Sequence, residues 1–221
     1  MTEYYSTDIC EKSFSELVEF ARKANELGEL PLLFGGWAVY HYNQYAGSKD
    51  VDCIVSETHF DGLVDFLVGK GYGQRELRLY KDKIFFDLYK KDESIGEGET
   101  RVDLSDLYPG SSEAYLKGYG KRTAGVQVLI PSVPALLRSK ICALATRDVP
   151  KDRSDAIALI LCLADGDAPA LAGSLPEALK ARVISLRGDA QTLGLVGKST
   201  KAKLKELNDK IRILTASNRQ S

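Results

Sequence analysis

The stretch LLFGGWAVYHYNQYAGSKDVDCIV, residues 32–55, decides the fold. A short apolar run ends in Gly35-Gly36, a compact helical segment follows, and Ser48-Lys49-Asp50-Val51-Asp52 opens a second apolar run. Side chains alternate between the faces of a strand, so Asp50 and Asp52, two residues apart at its mouth, point the same way. Carboxylates so close repel each other, and a hard cation such as Mg²⁺, or Mn²⁺ in its place, cancels that repulsion with oxygen ligation. A tight Gly-Gly turn lets the backbone approach a ligand, and the helix start behind it offers N–H donors and a positive dipole end that suit a phosphate. Either half alone has an ordinary reading as a turn or a solvated strand edge. Side by side they outline an anion site next to a metal site.

Outward from this stretch, SFSELVEFARKANELGEL reads as a helix with one buried face, opened by a capping box of Ser13 and Glu16 and closed by Gly28. LPLLF is a short buried strand, residues 37 to 45 a helix, VDCIVS a second strand and THFDGLVDFLVGKGY a glycine-stopped helix. QRELRLYKDK and IFFDLYKK read as neighbouring strands with a Lys-Asp turn, RVDLSDLY follows an acidic glycine-containing loop KDESIGEGET, and GVQVLIPS is a last strand. This order predicts an α/β (α+β) unit over residues 1–130, a mixed sheet of about five strands flanked by helices. From Pro131 the texture is helical: two helices separated by Pro150, then two more over roughly 176 to 187 and 199 to 216, a C-terminal bundle over 131–221. DGDAPALAGS reads as a mobile connector.

Composition sets limits. Thirty basic residues against 31 acidic leave a net charge of -1, so no global field draws nucleic acid and any such contact has to come from local clusters. Cys10, Cys53, Cys142 and Cys162 are widely spaced and only two histidines accompany them, which argues against zinc and for small buried residues in a reducing compartment. No run is long enough to span a membrane and the start has no signal-like pattern, so the expected location is cytoplasmic.

Gly35-Gly36 followed by Ser48-x-Asp50-x-Asp52 resembles a nucleotidyltransferase signature, and that resemblance implies a third carboxylate on an adjacent strand, because in-line displacement uses metals at both the attacking and the leaving oxygen. Asp87, an acid between IFF and LY, is the first choice; Asp103 in RVDL has the same local look, with Asp106 close by. For each, a carboxylate satisfied by a neighbouring Lys, Arg or amide stays open. Trp37, Tyr40, Tyr42 and Tyr45 gather around the short helix, as core or as a stacking surface for a base. In the last helix Leu204, Leu207, Ile211 and Leu214 form one stripe, and from Lys198 onward seven basic residues stand against two acids, a solvated face or a contact for RNA phosphates.

A strand ending in Gly35-Gly36, a short helix, then Ser48-x-Asp50-x-Asp52 on the next strand resembles the signature of the DNA polymerase beta-like nucleotidyltransferase superfamily. The resemblance implies that Asp50 and Asp52 bind divalent metal and that Gly35, Gly36 and Ser48 contact nucleotide phosphates. The segment PSVPALLRSKICALATRDVPKDRSDAIALI further resembles AbiEii-type nucleotidyltransferases, including the MenT toxins, through Lys140, Ala143, Leu144, Arg147, Lys151, Asp152 and Asp155. Many members carry Arg-x-Thr before the first Asp; here Gly47-Ser48-Lys49 stands there, so Ser48 takes the hydroxyl position and Lys49 is the available cation.

Lys140 interrupts an apolar helix face and Asp155 opens a helix that is apolar nearly all round, so the two are expected to meet. A structural ion pair is one reading. The family implies another: Lys140 on the triphosphate of the incoming nucleotide, Asp155 positioning or activating the site. Taken together, the resemblance implies transfer of a nucleoside monophosphate from a nucleoside triphosphate, with Asp50, Asp52 and Asp87 as metal carboxylates and pyrophosphate leaving. The acceptor implied is RNA, the 3′ end of tRNA, for a toxin with a separately encoded antitoxin. The alternatives are a small-molecule (antibiotic) nucleotidyltransferase, which the acidic loop would suit, and a non-catalytic nucleotide-binding module of the same fold.

Overall fold

The structure is a computed structural model, and it describes residues 4–75, 78–91, 99–108, 110, 123–197 and 200–216. Most of the acidic loop KDESIGEGET lies outside the described residues. The chain divides into two compact units, Glu3–His41 with Ala46–Ser132, and Met1–Thr2 with Tyr42–Tyr45 and Val133–Ser221.

The first unit runs α1 (Thr7–Glu26), β1 (Leu32–Phe34), α2 (Gly35–Tyr42), β2 (Asp50–Val55), α3 (Glu57–Gly69), β3 (Gly73–Arg75), β4 (Arg78–Lys81), β5 (Ile84–Lys90), β6 (Thr100–Asp103), α4 (Leu104–Leu107) and β7 (Gln127–Ile130). Its sheet has seven strands in the order β3-β4-β5-β2-β1-β7-β6. It is mixed: β1 pairs antiparallel with β2 and parallel with β7, and β2 pairs parallel with β5. The expectation of about five strands is too low because residues 74 to 83, read as one strand, contribute to both β3 and β4, which pair antiparallel on either side of residues 76–77, and because Thr100–Asp103 adds β6 at the edge.

One sheet face is the core. Val51, Cys53, Val55, Phe86, Leu88 and Leu79 are buried on alternating positions, and Phe20 of α1 meets Phe86 with ring centroids 5.3 Å apart. The first helix starts earlier than the capping box implied. Ser6 caps α1, its Oγ accepting from the Ile9 N–H at 3.4 Å, and Cys10 extends the apolar stripe of Phe14, Leu17, Val18 and Ala21. Ser13 is instead a buried mid-helix residue whose hydroxyl accepts from the Trp37 indole N–H at 3.1 Å.

The second unit is helical: α5 (Val133–Thr146), α6 (Pro150–Cys162), α7 (Asp167–Ser174), α8 (Glu177–Ile184), α9 (Ala190–Val196) and α10 (Lys201–Leu214). Pro150 opens α6, where its missing N–H costs nothing. The expected connector DGDAPALAGS is largely α7, with Ala168, Leu171 and Ala172 buried on one face; Pro169 falls within the first turn, where proline is tolerated. The unexpected α9 is short and is capped by Asp189, which accepts from the Thr192 N–H at 2.9 Å. In α10, Leu207, Ile211 and Leu214 are buried and Leu204 is half-buried.

The four cysteines form no disulfide; Cys10 and Cys53 are buried as expected, Cys162 is half-buried, and Cys142 is exposed because it faces away from the buried side of α5. No helix among the described residues is long and apolar enough to cross a membrane.

Candidate active site

Strand pairing assembles the site. Arg78 of β4, Asp87 of β5, Asp52 of β2 and Phe34 of β1 are successive Cα partners, a single row across four strands. The neighbouring row sets Tyr80 beside Phe85 and Phe85 beside Asp50. Alternation places Asp50, Asp52 and Asp87 on the face opposite the core, and all three are half-buried.

Gly35 ties the glycine turn to the acids. It has φ +63°, and a Cβ built on it would lie 1.8 Å from Asp52 Oδ2. Only glycine fits there, on both counts. The space that a side chain at residue 35 would need is taken up by the Asp52 carboxylate, and the helix begins at Gly35 itself rather than after the pair. Gly36 is buried within α2.

Ser48 is buried and its hydroxyl accepts from the Asp50 N–H at 3.2 Å, so it shapes the approach to β2. Lys49 Nζ lies 5.2 Å from the Phe85 ring centroid and 5.5 Å from that of Tyr5. The Arg78 guanidinium carbon lies 4.8 Å from the same Phe85 centroid.

Arg78 was not singled out from sequence. Its Nε donates to Asp87 Oδ1 at 2.7 Å and its Nη2 donates to Asp87 Oδ2, a bidentate pair. Its pKa is raised first by that hydrogen-bonded carboxylate, against the opposing effect of burial, and further by the charges of Asp87, Asp50 and Asp52. The guanidinium is therefore a counter-ion for all three acids. The hairpin turn read as Lys-Asp falls instead at Asp82 and Lys83, with φ +54° and +84°; from a turn placed there, counting outward pairs Lys81 with Ile84 and Arg78 with Asp87.

The two acids left open in sequence are separated by register. Asp87 is the Cα partner of Asp52, whereas Asp103 lies on β6 at the far sheet edge, with β1 and β7 between it and β2. The Asp103 carboxylate accepts from the Ser105 N–H at 2.9 Å, the Ser105 hydroxyl at 2.7 Å and the Gly125 N–H at 2.7 Å, capping α4. Burial would raise its pKa, but these bonds hold it below the ordinary value. Asp106 is exposed in α4.

Asp50 and Asp52 are hard oxygen donors, and Mg²⁺ commonly takes one or two protein carboxylates together with substrate phosphates, so the pair fits that ion. Among the described residues no three His, Cys, Asp or Glu side chains are gathered closely enough to ligate one ion, and Asp87 is turned to Arg78.

In the helical unit Lys140, Asp152 and Asp155 are buried together. Lys140 Nζ lies 2.7 Å from Asp155 Oδ2 and 3.5 Å from Asp152 Oδ1, and Lys151 Nζ lies 3.0 Å from Asp155 Oδ1. The Tyr45 hydroxyl also donates to Asp155, and Arg147 donates to Asp152 through Nε at 2.6 Å and Nη2 at 3.0 Å. Burial would raise the Asp155 carboxyl, but Lys151 and then Lys140 hold it below its ordinary value. The ion pair anticipated between Lys140 and Asp155 is present, and it joins α5 to α6.

The aromatic group divides between the units. Trp37 is fully buried and packs with Phe14, Tyr40 and Tyr108 at centroid distances of 5.1, 5.7 and 5.1 Å, so it is core and offers no face to a base. Tyr42 and Tyr45 belong to the helical unit, where Tyr45 serves Asp155.

In sequence, no family model and no curated protein matches the chain. In structure, the chain is similar to an antigenic nucleotidyltransferase-like protein from Paracoccidioides brasiliensis, with a TM-score of 0.53 at 16% identity over 91% of this chain and 94% of that one. It also aligns with the antibiotic-resistance factor ANT(2'')-Ia, with a TM-score of 0.44 at 13% identity over 83% of this chain and 96% of that one. At such identities the first likeness speaks for architecture, and the mixed sheet carrying Asp50, Asp52 and Asp87 belongs to a nucleotidyltransferase-like fold.

Proposed function

We propose that this protein is a nucleotidyltransferase that moves a nucleoside monophosphate from a nucleoside triphosphate to an acceptor hydroxyl. One observation carries this reading: Asp52 and Asp87 are register partners on adjacent parallel strands, with Asp50 on the same face and the Gly35 turn packed on Asp52. Asp50 and Asp52 hold Mg²⁺ or Mn²⁺, which supplies neutralisation of phosphate charge when bound. The acceptor oxygen forms a bond to the α-phosphorus, the bond from that phosphorus to its bridging oxygen breaks, and pyrophosphate leaves. Asp87 completes the carboxylate set around the metal ion and helps to deprotonate the acceptor hydroxyl. Ser48 and Gly35 set the placement of the first two acids, the hydroxyl through the Asp50 N–H and the glycine by making room for Asp52.

For the acceptor we favour RNA, the 3′ end of tRNA, and for the biological role a toxin with a separate antitoxin. Two things support this: the AbiEii/MenT-type pattern around Lys140 to Asp155, and the exposed basic residues of α10, Lys201, Lys203, Lys205 and Arg212. The experiment is incubation of wild type and Asp50→Ala with Mg²⁺, total tRNA and each labelled nucleoside triphosphate in turn. Label on RNA with wild type and none with the variant supports the proposal and names the nucleotide. Label on an added aminoglycoside but not on RNA overturns the acceptor, and no transfer to any acceptor overturns the enzyme reading in favour of a nucleotide-binding module.

A further inference from the structure

Asp87 and Arg78 present a conflict that the proposed chemistry does not absorb. If Asp87 serves beside Asp50 and Asp52, at least one of its oxygens has to turn to them, yet both accept from one guanidinium. The two partners differ in freedom. The Asp87 side chain is 13% exposed and sits mid-strand in β5, between β2 and β4, whereas the Arg78 side chain is 47% exposed at the first residue of β4. The arginine is the member able to move. It also has a resting surface, the Phe85 ring on which its guanidinium already stacks.

We propose that Arg78 is a built-in competitor for the divalent cation: it holds Asp87 in the resting protein, and Asp87 changes partner from Arg78 to the cation when one binds beside Asp50 and Asp52. This rests on the metal reading given above. Three acids on one sheet face need positive charge whether or not a cation is present, and Arg78 supplies it in the resting state. The exchange makes metal affinity depend on the fraction of molecules in which Asp87 has left Arg78, which lowers the apparent affinity by that fraction. It also releases a bidentate donor of the kind that recognises phosphate at the moment the cation arrives. Arg78 is therefore a positioning residue, acting through Asp87.

The test is Mn²⁺ binding measured by isothermal titration calorimetry at fixed ionic strength on the full chain, comparing wild type, R78M, D87N, the R78M/D87N pair and D50N, with circular dichroism to establish folding. Removal of the competitor is expected to tighten Mn²⁺ binding in R78M about tenfold, and the gain is expected to vanish in R78M/D87N because it acts through Asp87. A salt bridge with a purely structural role gives the opposite pattern. If R78M binds Mn²⁺ no tighter than wild type, or keeps its gain without Asp87, the inference is overturned while binding lost in D50N leaves the metal reading standing. If wild type and R78M bind Mn²⁺ no better than D50N, the metal reading fails and the inference with it. Should R78M not fold, R78K takes its place: a lysine makes a single contact where arginine makes two, so a gain of a few-fold is expected, and none overturns the inference.

Discussion

Asp52 and Asp87 are Cα partners across adjacent parallel strands, and the Asp87 carboxylate nonetheless gives both oxygens to Arg78. The acid nearest the Asp-x-Asp pair is thus presented by backbone register and restrained by a side chain. Asp52→Asn keeps the volume and removes the charge, so the protein is expected to fold and to lose about a hundredfold or more in nucleotidyl transfer. Single-turnover transfer of labelled nucleotide measures this; retention of more than a tenth of the wild-type rate would refute a role for Asp52 in the reaction.

Gly35→Ala tests whether the glycine turn serves the acids. The added methyl carbon meets Asp52 Oδ2 and the residue sits at φ +63°, so both the carboxylate and the backbone have to shift. A stability loss of about 1–3 kcal/mol is expected, together with a fall in turnover beyond what unfolding explains. Urea denaturation and activity measured under conditions where the variant is fully folded separate the two effects, and an alanine variant of normal turnover would show that Asp52 placement does not matter.

Asp103→Asn contrasts with Asp87→Asn. Asp103 caps α4 at the opposite end of the sheet, so its amide variant is expected to lose about 1 kcal/mol of stability while transfer continues at a rate within a few-fold of wild type. Asp87→Asn, by comparison, should lower the rate about a hundredfold. Reversal of that order would move the third acid to β6.

The buried charges of the helical unit are unequal. Asp155 serves Lys140, Lys151 and Tyr45, whereas Lys140 leaves Asp155 with Lys151 still in place. Asp155→Ala is expected to cost about 3–5 kcal/mol, and Lys140→Met clearly less, because losing Asp155 takes the nearest carboxylate from both Lys140 and Lys151 and leaves Lys140 only Asp152 at 3.5 Å, whereas Asp155 keeps Lys151 when Lys140 is lost. Chemical denaturation of the two variants decides; equal losses would mean that Lys151 does not share the load.

Acid sensitivity follows from Glu29 and Asp155. Burial opposes ionisation of Glu29, but hydrogen bonds from His59 and Ser56 outweigh it and hold the carboxyl below its ordinary value of 4.5; Asp155 is held low by its lysines. A carboxyl depressed in the folded state contributes stability that is present above its unfolded value and lost as pH falls through the folded one. Thermal stability is therefore expected to be flat on this account near neutrality and to decline below about pH 4.5. Glu29→Gln should shallow that decline, and an unchanged slope would remove Glu29 from the explanation.

Local pattern determined much of this protein. The two-residue period of a strand was enough to align Asp50 with Asp52, the glycine pair marked a turn that Asp52 fills, and the helical texture beyond Pro131 announced the second unit. Helical periodicity also brought Lys140 to Asp155, since the spacing of apolar positions leaves a buried lysine few places to point. Local rules failed where weak signals met tertiary burial: Ser13 looked like a cap and is core, and DGDAPALAGS looked like a connector and is mostly a helix, because Leu171 and its neighbours find a surface to cover them.

What only the tertiary structure decided was register. Asp87 and Asp103 each stand between an apolar residue and a leucine, and that pattern does not distinguish them; the pairing of β2 with β5 does, by setting Asp52 beside Asp87 and leaving Asp103 beyond β7. Arg78 reaches Asp87 by a different and local route, the hairpin of β4 and β5 closed by the turn at Asp82 and Lys83. Contacts between residues distant along the chain depend on which strands close upon one another, and that choice is made by the whole core at once rather than by any segment of it.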